Sequence, residues 1–443
     1  MQTLKLRRIS RYRWPLVLTG TLLITAVFSL SPLVDVANPA SAPGTTLSTP
    51  LLYDLFAPAS NGLDAITLLS PAQYWATFAL CALCFLGATL VRQRRALGRF
   101  SAPWTARSAL GFLGGTVAVL GIMLVAPRPM ASLALRDADL IAVDFHSHTG
   151  ASHDGRPGFS AERNREWHRS SGFDAVYVTD HRTFDGALDG ATSNPAASGE
   201  KTVLLPGVEL HDGAEHLILI GVDPGRMKIT SPDWQGAAVA ADGGSVPPIL
   251  LLSMPGDISR IPHEEITGAI RVAGIEASDG SPRGLAQSAI GRDSILAIGA
   301  RLGVALVSGS DNHGWGRTAP AWSVLRIPGW RSLNPEQLDI DIRRTILDRG
   351  LHAVQVIARR TAPPPHRAIQ TALGGLTVAL LMMRTMNSRE RASWIAWSWG
   401  LCILSLRRAR RDRNRLRARA RTNMNKRTAP RFIDAAAAIR VAS

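Results

Sequence analysis

Three apolar stretches near the N-terminus, 14–34, 72–91 and 108–126, dominate the first third of the chain. Each is about the length needed to cross a hydrocarbon core of about 30 Å at about 1.5 Å per residue. Two more, 368–383 and 392–406, follow late in the chain and are short for full crossings. Between them the pattern changes to short apolar runs, rich in β-branched residues, that alternate with amphipathic ones. Strands are expected at 139–145, 174–179, 202–209, 215–222, 248–254, 271–276 and 303–308. Ser160 should cap a helix over 161–171 that Gly172 ends, 283–300 should form a second helix, and Asn334 should cap a third that ends near Gly350. The expected organisation is a membrane region at 1–136, an α/β domain at 137–360, a linker with apolar segments at 361–406, stiffened by Pro363, Pro364 and Pro365, and a basic tail at 407–443 without fixed structure.

Charge refines this picture. The formal net charge is +16, yet the segment after Leu406 has thirteen Lys/Arg against only Asp412 and Asp434, and so carries +11 of it. The tail suits acidic lipid headgroups. It lacks interleaved aromatics, so nucleic acid is not expected as a structural partner. Residues 35–71 contain no Lys or Arg, whereas 92–107 contain five Arg. The positive-inside rule then puts the first loop outside and the second in the cytoplasm, which delivers the α/β domain to the extracytoplasmic side of a membrane, of the bacterial inner-membrane kind. Arg7-Arg8 is explained by a plain basic flank as well as by an export signal. Cys81, Cys84 and Cys402 all lie in apolar segments and read as packing residues, so any metal ligands of the middle domain must be His, Asp or Glu.

Such ligands are concentrated there. Nine of the eleven histidines fall between His146 and His313. Asp144-Phe145-His146-Ser147-His148 ends one apolar run, and Ser152-His153-Asp154-Gly155 follows it. Thr179-Asp180-His181 ends the next, and Gly207-Val208-Glu209 the one after. His216 opens a further run, and Ser310-Asp311-Asn312-His313 ends the last. Each residue alone is most simply a polar loop residue. Together, so many apolar runs would not independently finish in metal-competent side chains, and in parallel barrels the loops after the strands converge on one mouth.

This order of motifs, over roughly 139–327, resembles the polymerase and histidinol phosphatase (PHP) family. The resemblance implies a distorted (β/α)7 barrel, here flanked by transmembrane helices, with two or three divalent ions (Zn, Mn or Fe) and hydrolysis of a phosphate ester. It implies that His146, His148, Glu209 and Asp311 hold a first ion, that Glu209 bridges to a second with His216, and that Asp154, His181 and His313 hold a third. Glu209, Asp311 and Arg317 are the catalytic candidates. Arg317 is expected on the substrate phosphate, and Arg156 and Arg182 are placed in similar loops. The expected partners are a phosphorylated substrate and the lipid bilayer.

One station departs from the family pattern: Met254 stands where a histidine is usual, and a thioether is a poor ligand for hard ions. His211, two residues past Glu209, and His263 are possible substitutes. His168 reads as a satisfied packing histidine, and His352 and His366 have no assigned role. Two other functions fit the same residues, a non-catalytic metal-binding sensor or scaffold and a metal-dependent hydrolase of a non-phosphate bond.

Overall fold

The structure is a computed structural model. It describes residues 12–440 except 40, 41, 43, 213–214, 230–233, 243, 254–269, 362–369 and 372. Met254, His263, His366 and the proline run at 363–365 therefore lie outside the described residues. The chain forms two compact units. Among the described residues, one lies within 29–386, and the other combines residues 12–28 with 387–440.

Among the described residues, the larger unit has twelve strands: β1 (Leu33–Asp35), β2 (Thr45–Ser48), β3 (Ser132–Leu135), β4 (Leu140–Ser147), β5 (Ala175–Val178), β6 (Val203–Asp212), β7 (Glu215–Ile220), β8 (Ile249–Leu252), β9 (Val272–Asp279), β10 (Ala305–Gly309), β11 (Ala321–Arg326) and β12 (Val354–Arg359). Ten of them make one sheet in the order β1-β12-β11-β4-β5-β6-β7-β8-β9-β10, and β2 pairs with β3 separately. From β4 to β10 neighbours run parallel except at β7, which is antiparallel to both β6 and β8. The sheet curls until its last strand returns to β4. Asp311 N–H donates to the His146 carbonyl at 2.9 Å, His148 N–H donates to the Asn312 carbonyl at 3.2 Å, and Ser308 N–H donates to Ser323 Oγ at 2.7 Å. The fold is thus α/β with a curled, barrel-like sheet.

Strands buried on both faces must be apolar along their whole length, not alternately. That is why β5, β8 and β10 read as continuous runs, with every residue buried. Ile141, Val143, Phe145, Tyr177, Leu205, Ile218, Leu251, Ile275 and Val307 form part of the core they share. The helix Ala161–Ser171 starts where Ser160 Oγ accepts from Arg163 N–H, and it ends at Gly172, whose φ of 84° suits glycine. Asn334 Oδ1 likewise accepts from Gln337 N–H at the start of the helix Pro335–Arg349.

Several apolar segments differ from the expectation. The stretch 14–34 is not one helix: Arg13–Val27 is helical, but Leu33–Asp35 is strand β1, paired with β12. Pro32 cannot continue a helix, and the sheet edge offers the following residues backbone partners. Pro71–Leu97 and Ala102–Met123 are long and apolar enough to cross a membrane, with only 6% of the apolar window of each buried. Cys81 and Cys84 are exposed on the first of them. The segment 368–383 overlaps the helix Gly374–Thr385, while 392–406 belongs to a helix, Ser388–Arg440, that runs on through the basic tail. The tail therefore has regular structure where none was expected; its closely spaced arginines are good helix formers. In the smaller unit Trp399 Nε1–H donates to Thr19 Oγ1 at 3.2 Å, and its ring stacks on Tyr12.

Candidate metal centre

The C-terminal ends of β4, β5, β6 and β10 converge because the sheet closes on itself there. His146 and His148 flank the end of β4 with their Nε2 atoms 3.1 Å apart. Glu209, inside β6, places Oε2 3.1 Å from His146 Nε2 and 3.2 Å from His148 Nε2. The Asp311 Oδ1 atom lies 3.3 Å from His148 Nε2 and 3.6 Å from His146 Nε2. On the outer side, His181 Nδ1 is 3.2 Å from the same Glu209 oxygen, and His181 Nε2 is 3.5 Å from Asp154 Oδ2. His313 Nε2 is 3.1 Å from that Asp154 oxygen. His216 Nδ1 pairs closely with Glu209 Oε1. The structure thus brings together all eight residues expected as ligands.

The spacing is informative. Ligand atoms about 2.0–2.2 Å from a tetrahedral or octahedral ion lie roughly 3.0–3.5 Å from one another. Most of the nitrogen and oxygen atoms above have that spacing. His181 Nδ1 and His313 Nε2 are buried, yet neither has a hydrogen-bond partner among the described residues. Buried polar atoms are normally paired, so these two unpaired nitrogens beside carboxylates fit a shared cation. Nitrogen and carboxylate oxygen suit a divalent transition ion.

The opposite edges of these side chains are held by other groups. His146 Nδ1 faces Glu276 Oε1 at 3.4 Å and Ser253 Oγ at 3.3 Å, and Ser253 Oγ–H donates to Glu276 Oε2 at 2.9 Å. His148 Nδ1 faces Ser152 Oγ at 3.4 Å, and His313 Nδ1 lies 3.0 Å from the Asp311 carbonyl. Beneath them, Asp144 Oδ1 accepts the backbone N–H of His146 and of Ser310, while Asp144 Oδ2 is 2.7 Å from His168 Nε2. His168 is fully buried and also faces the Asn164 carbonyl, so it is a satisfied interior histidine that braces the β4 terminus. Asp311 adopts φ 46° and Arg182 φ 54°, the only non-glycine residues with positive φ among those described. Both sit at the donor cluster, where strained backbone is commonly found. Gly309 is required next to them: a Cβ there would overlap Glu276 Oε1 and His146 Cβ.

Charge accumulates accordingly. Burial would raise the Glu209 pKa, but the surrounding His146, His148 and His216 hold it far below the usual carboxylate range. Burial acts likewise on Asp311, and His146 and His148 outweigh it, bringing its pKa down to about 2. Burial opposes the charge on His148, yet Asp311 and Glu209 raise its pKa to about 9; His146 is also raised well above its ordinary value. Burial lowers His181 to about 4 and lowers His313 as well, so these two present neutral imidazoles.

His211 lies with its ring 4.1 Å from that of His216 and 5.2 Å from that of His181, within reach of the same carboxylate as an additional ligand. His153 is largely exposed beside Asp154. Arg317 is half-buried four residues after His313, and its Nε has no hydrogen-bond partner among the described residues. Glu276, Asp144, Asp180 and Asp279 have no role assigned from the sequence. All four are buried, and Asp180 accepts both the backbone N–H and the hydroxyl of Thr149. The available signal was a carboxylate within or at the end of an apolar run, as in Val272–Asp279.

No family model matches the chain, and no curated protein does. Among solved structures, PsfC from Pseudomonas syringae is similar over 56% of this chain and 100% of its own, with 15% identity and a TM-score of 0.37. The lesion-specific endonuclease PfuEndoQ from Pyrococcus furiosus is similar over 48% of this chain, with 15% identity and a TM-score of 0.36; the match spans 57% of the endonuclease. A protein described as a metal-dependent phosphoesterase from Bifidobacterium adolescentis is similar over 47% of this chain and 96% of its own, with 18% identity and a TM-score of 0.27.

Proposed function

We propose that the chain is a membrane-anchored, metal-dependent phosphoesterase with a PHP-type barrel. The observation that carries this reading is the position of Glu209, whose Oε2 lies 3.1–3.2 Å from His146, His148 and His181 and whose Oε1 meets His216. A carboxylate in that position can bridge two cations and offset their charge. His146, His148, Glu209 and Asp311 would hold the first ion, Glu209 and His216 the second, and Asp154, His181 and His313 the third. Bound divalent ions of the Zn, Mn or Fe kind would supply an activated water and neutralise the phosphoryl oxygens in the transition state.

The chain's own residues do the rest. Glu276 and Ser253 fix the ring of His146, and Ser152 faces Nδ1 of His148. Arg317, with a guanidinium nitrogen unengaged on the loop after His313, is suited to orient an anionic substrate. The test is metal content and hydrolysis of p-nitrophenyl phosphate by the purified full chain, before and after chelation. Metal-free protein, or turnover that survives complete chelation, would overturn the reading.

A further inference from the structure

The loop that carries Asp311 and His313 continues through Trp315 and Arg317 to Thr318, and Thr318 ties it to the roots of both long apolar helices. Thr67 lies three residues before Ser70, the N-cap of the helix Pro71–Leu97, and its hydroxyl is 3.0 Å from that of Thr318. Arg128 lies three residues after the end of the helix Ala102–Val125 and donates to the same Thr318 hydroxyl at 2.8 Å. Asp64 joins the two contacts. It accepts from Thr318 at 2.9 Å and from Arg359 at 2.6 Å, and it pairs with Arg128. A buried carboxylate shared by two guanidiniums and a hydroxyl fixes this junction firmly, since loss of Asp64 would leave two buried guanidiniums without their carboxylate. Helices that cross a bilayer have their roots at its surface, so the ligand-bearing loop is at that surface too.

Two further features adjoin this junction. Leu51, Leu52, Leu55 and Phe56 precede the helix Ala57–Thr67 and expose between 47% and 74% of their surface, while Tyr53 beside them is buried and its hydroxyl hydrogen-bonds to Asp64. An apolar patch of this kind next to a crossing helix belongs in the headgroup and acyl boundary. Trp315 is 44% exposed with the Arg156 guanidinium 5.2 Å over its ring, the aromatic and cationic pairing favoured at membrane interfaces.

We infer that the phosphate group taken by this site is carried on a lipid embedded in the bilayer and reaches the metal donors from the membrane face, past Trp315 and Arg317. This rests on the phosphoesterase reading and names its substrate class. A water-soluble phosphate ester would present the same anionic group without needing the site to lie at the bilayer.

The test uses the full chain in phosphatidylcholine vesicles with three substrates: dioleoyl phosphatidate in the vesicles, water-soluble dibutyryl phosphatidate, and p-nitrophenyl phosphate. The vesicle-held lipid should be hydrolysed faster than its soluble analogue by on the order of tenfold, because the surface concentrates it at the site. The variant Leu51→Ser/Leu52→Ser/Leu55→Ser should lose that preference and keep its p-nitrophenyl phosphate turnover. Turnover of p-nitrophenyl phosphate with equal or no hydrolysis of the two phosphatidates by the unaltered chain would overturn the lipid inference alone. Failure on all three substrates would overturn the phosphoesterase reading, and this inference with it.

Discussion

His146 Nδ1 lies 3.4 Å from Oε1 of Glu276, so a histidine whose Nε2 faces the donor cluster is held from behind by a buried carboxylate. Such a partner fixes the ring orientation and makes the facing nitrogen a stronger donor. Glu276→Gln preserves the shape and removes the charge. It should weaken metal binding by about 10–100-fold, read by titrating metal into the chelated protein, while the far-ultraviolet circular dichroism stays unchanged. Undiminished affinity would mean that Glu276 does not act on the centre.

Asp311 combines a donor oxygen with a left-handed backbone at φ 46°. Asn tolerates that conformation nearly as well as Asp, and Ala does not. Asp311→Asn should therefore lose metal and turnover while keeping the backbone conformation. Asp311→Ala should lose both and also stability, by about 1–2 kcal/mol. Turnover retained in Asp311→Asn would remove this residue from the catalytic set.

The barrel strands could be read from the sequence because strands buried on both faces are apolar throughout, and because each donor stands at or beside the end of such a run. His146, His181, Glu209 and Asp311 were legible for that reason. Strand β1 was not: Leu33–Asp35 continues an apolar stretch that composition alone cannot divide, although Pro32 marks the break. Strands β11 and β12 extend the sheet beyond β4, β11 antiparallel and β12 parallel to it, and carry no donor. Glu276 and Asp144 were hidden because they support the donors through other side chains, and such pairings depend on which strands become neighbours. His211 was seen as a candidate because its spacing from Glu209 puts it on the same side of β6.

The metal-free centre should hold protons that a cation displaces. The pKa of His148 is raised to about 9, and that of His146 is also well above 6.5. Both are protonated near neutral pH when no cation is present. A histidine whose folded pKa is raised stabilises the fold fully below its unfolded value of 6.5, and that contribution is lost as pH rises through the folded value of about 9. The chelated protein should thus lose thermal stability between about pH 6.5 and 9, and added metal should reverse the loss. Calorimetric titration near pH 7 in buffers of different ionisation enthalpy should show release of roughly two protons per chain as the first ion binds. An enthalpy independent of the buffer would contradict the assignment of these two histidines to one ion.

The proposed membrane orientation rests on the charges around the helical hairpin. Residues 92–107, which include the turn between the two long apolar helices, carry five arginines, and residues 35–71 before the first helix carry no Lys or Arg. Arg128, just beyond the second helix, is paired with the buried Asp64, so it adds no free cation to that flank. The contacts of Thr67 and Arg128 with Thr318 put both roots of the hairpin at the α/β unit, opposite the arginine-rich turn. Cationic turns are retained in the cytoplasm, so the donor cluster should face the extracytoplasmic side. A reporter inserted at Gly98 should read as cytoplasmic, and one fused after Ala131 should read as external. A cytoplasmic reading after Ala131 would place the centre with cytoplasmic substrates, and an external reading at Gly98 would show that arginine content does not orient this hairpin.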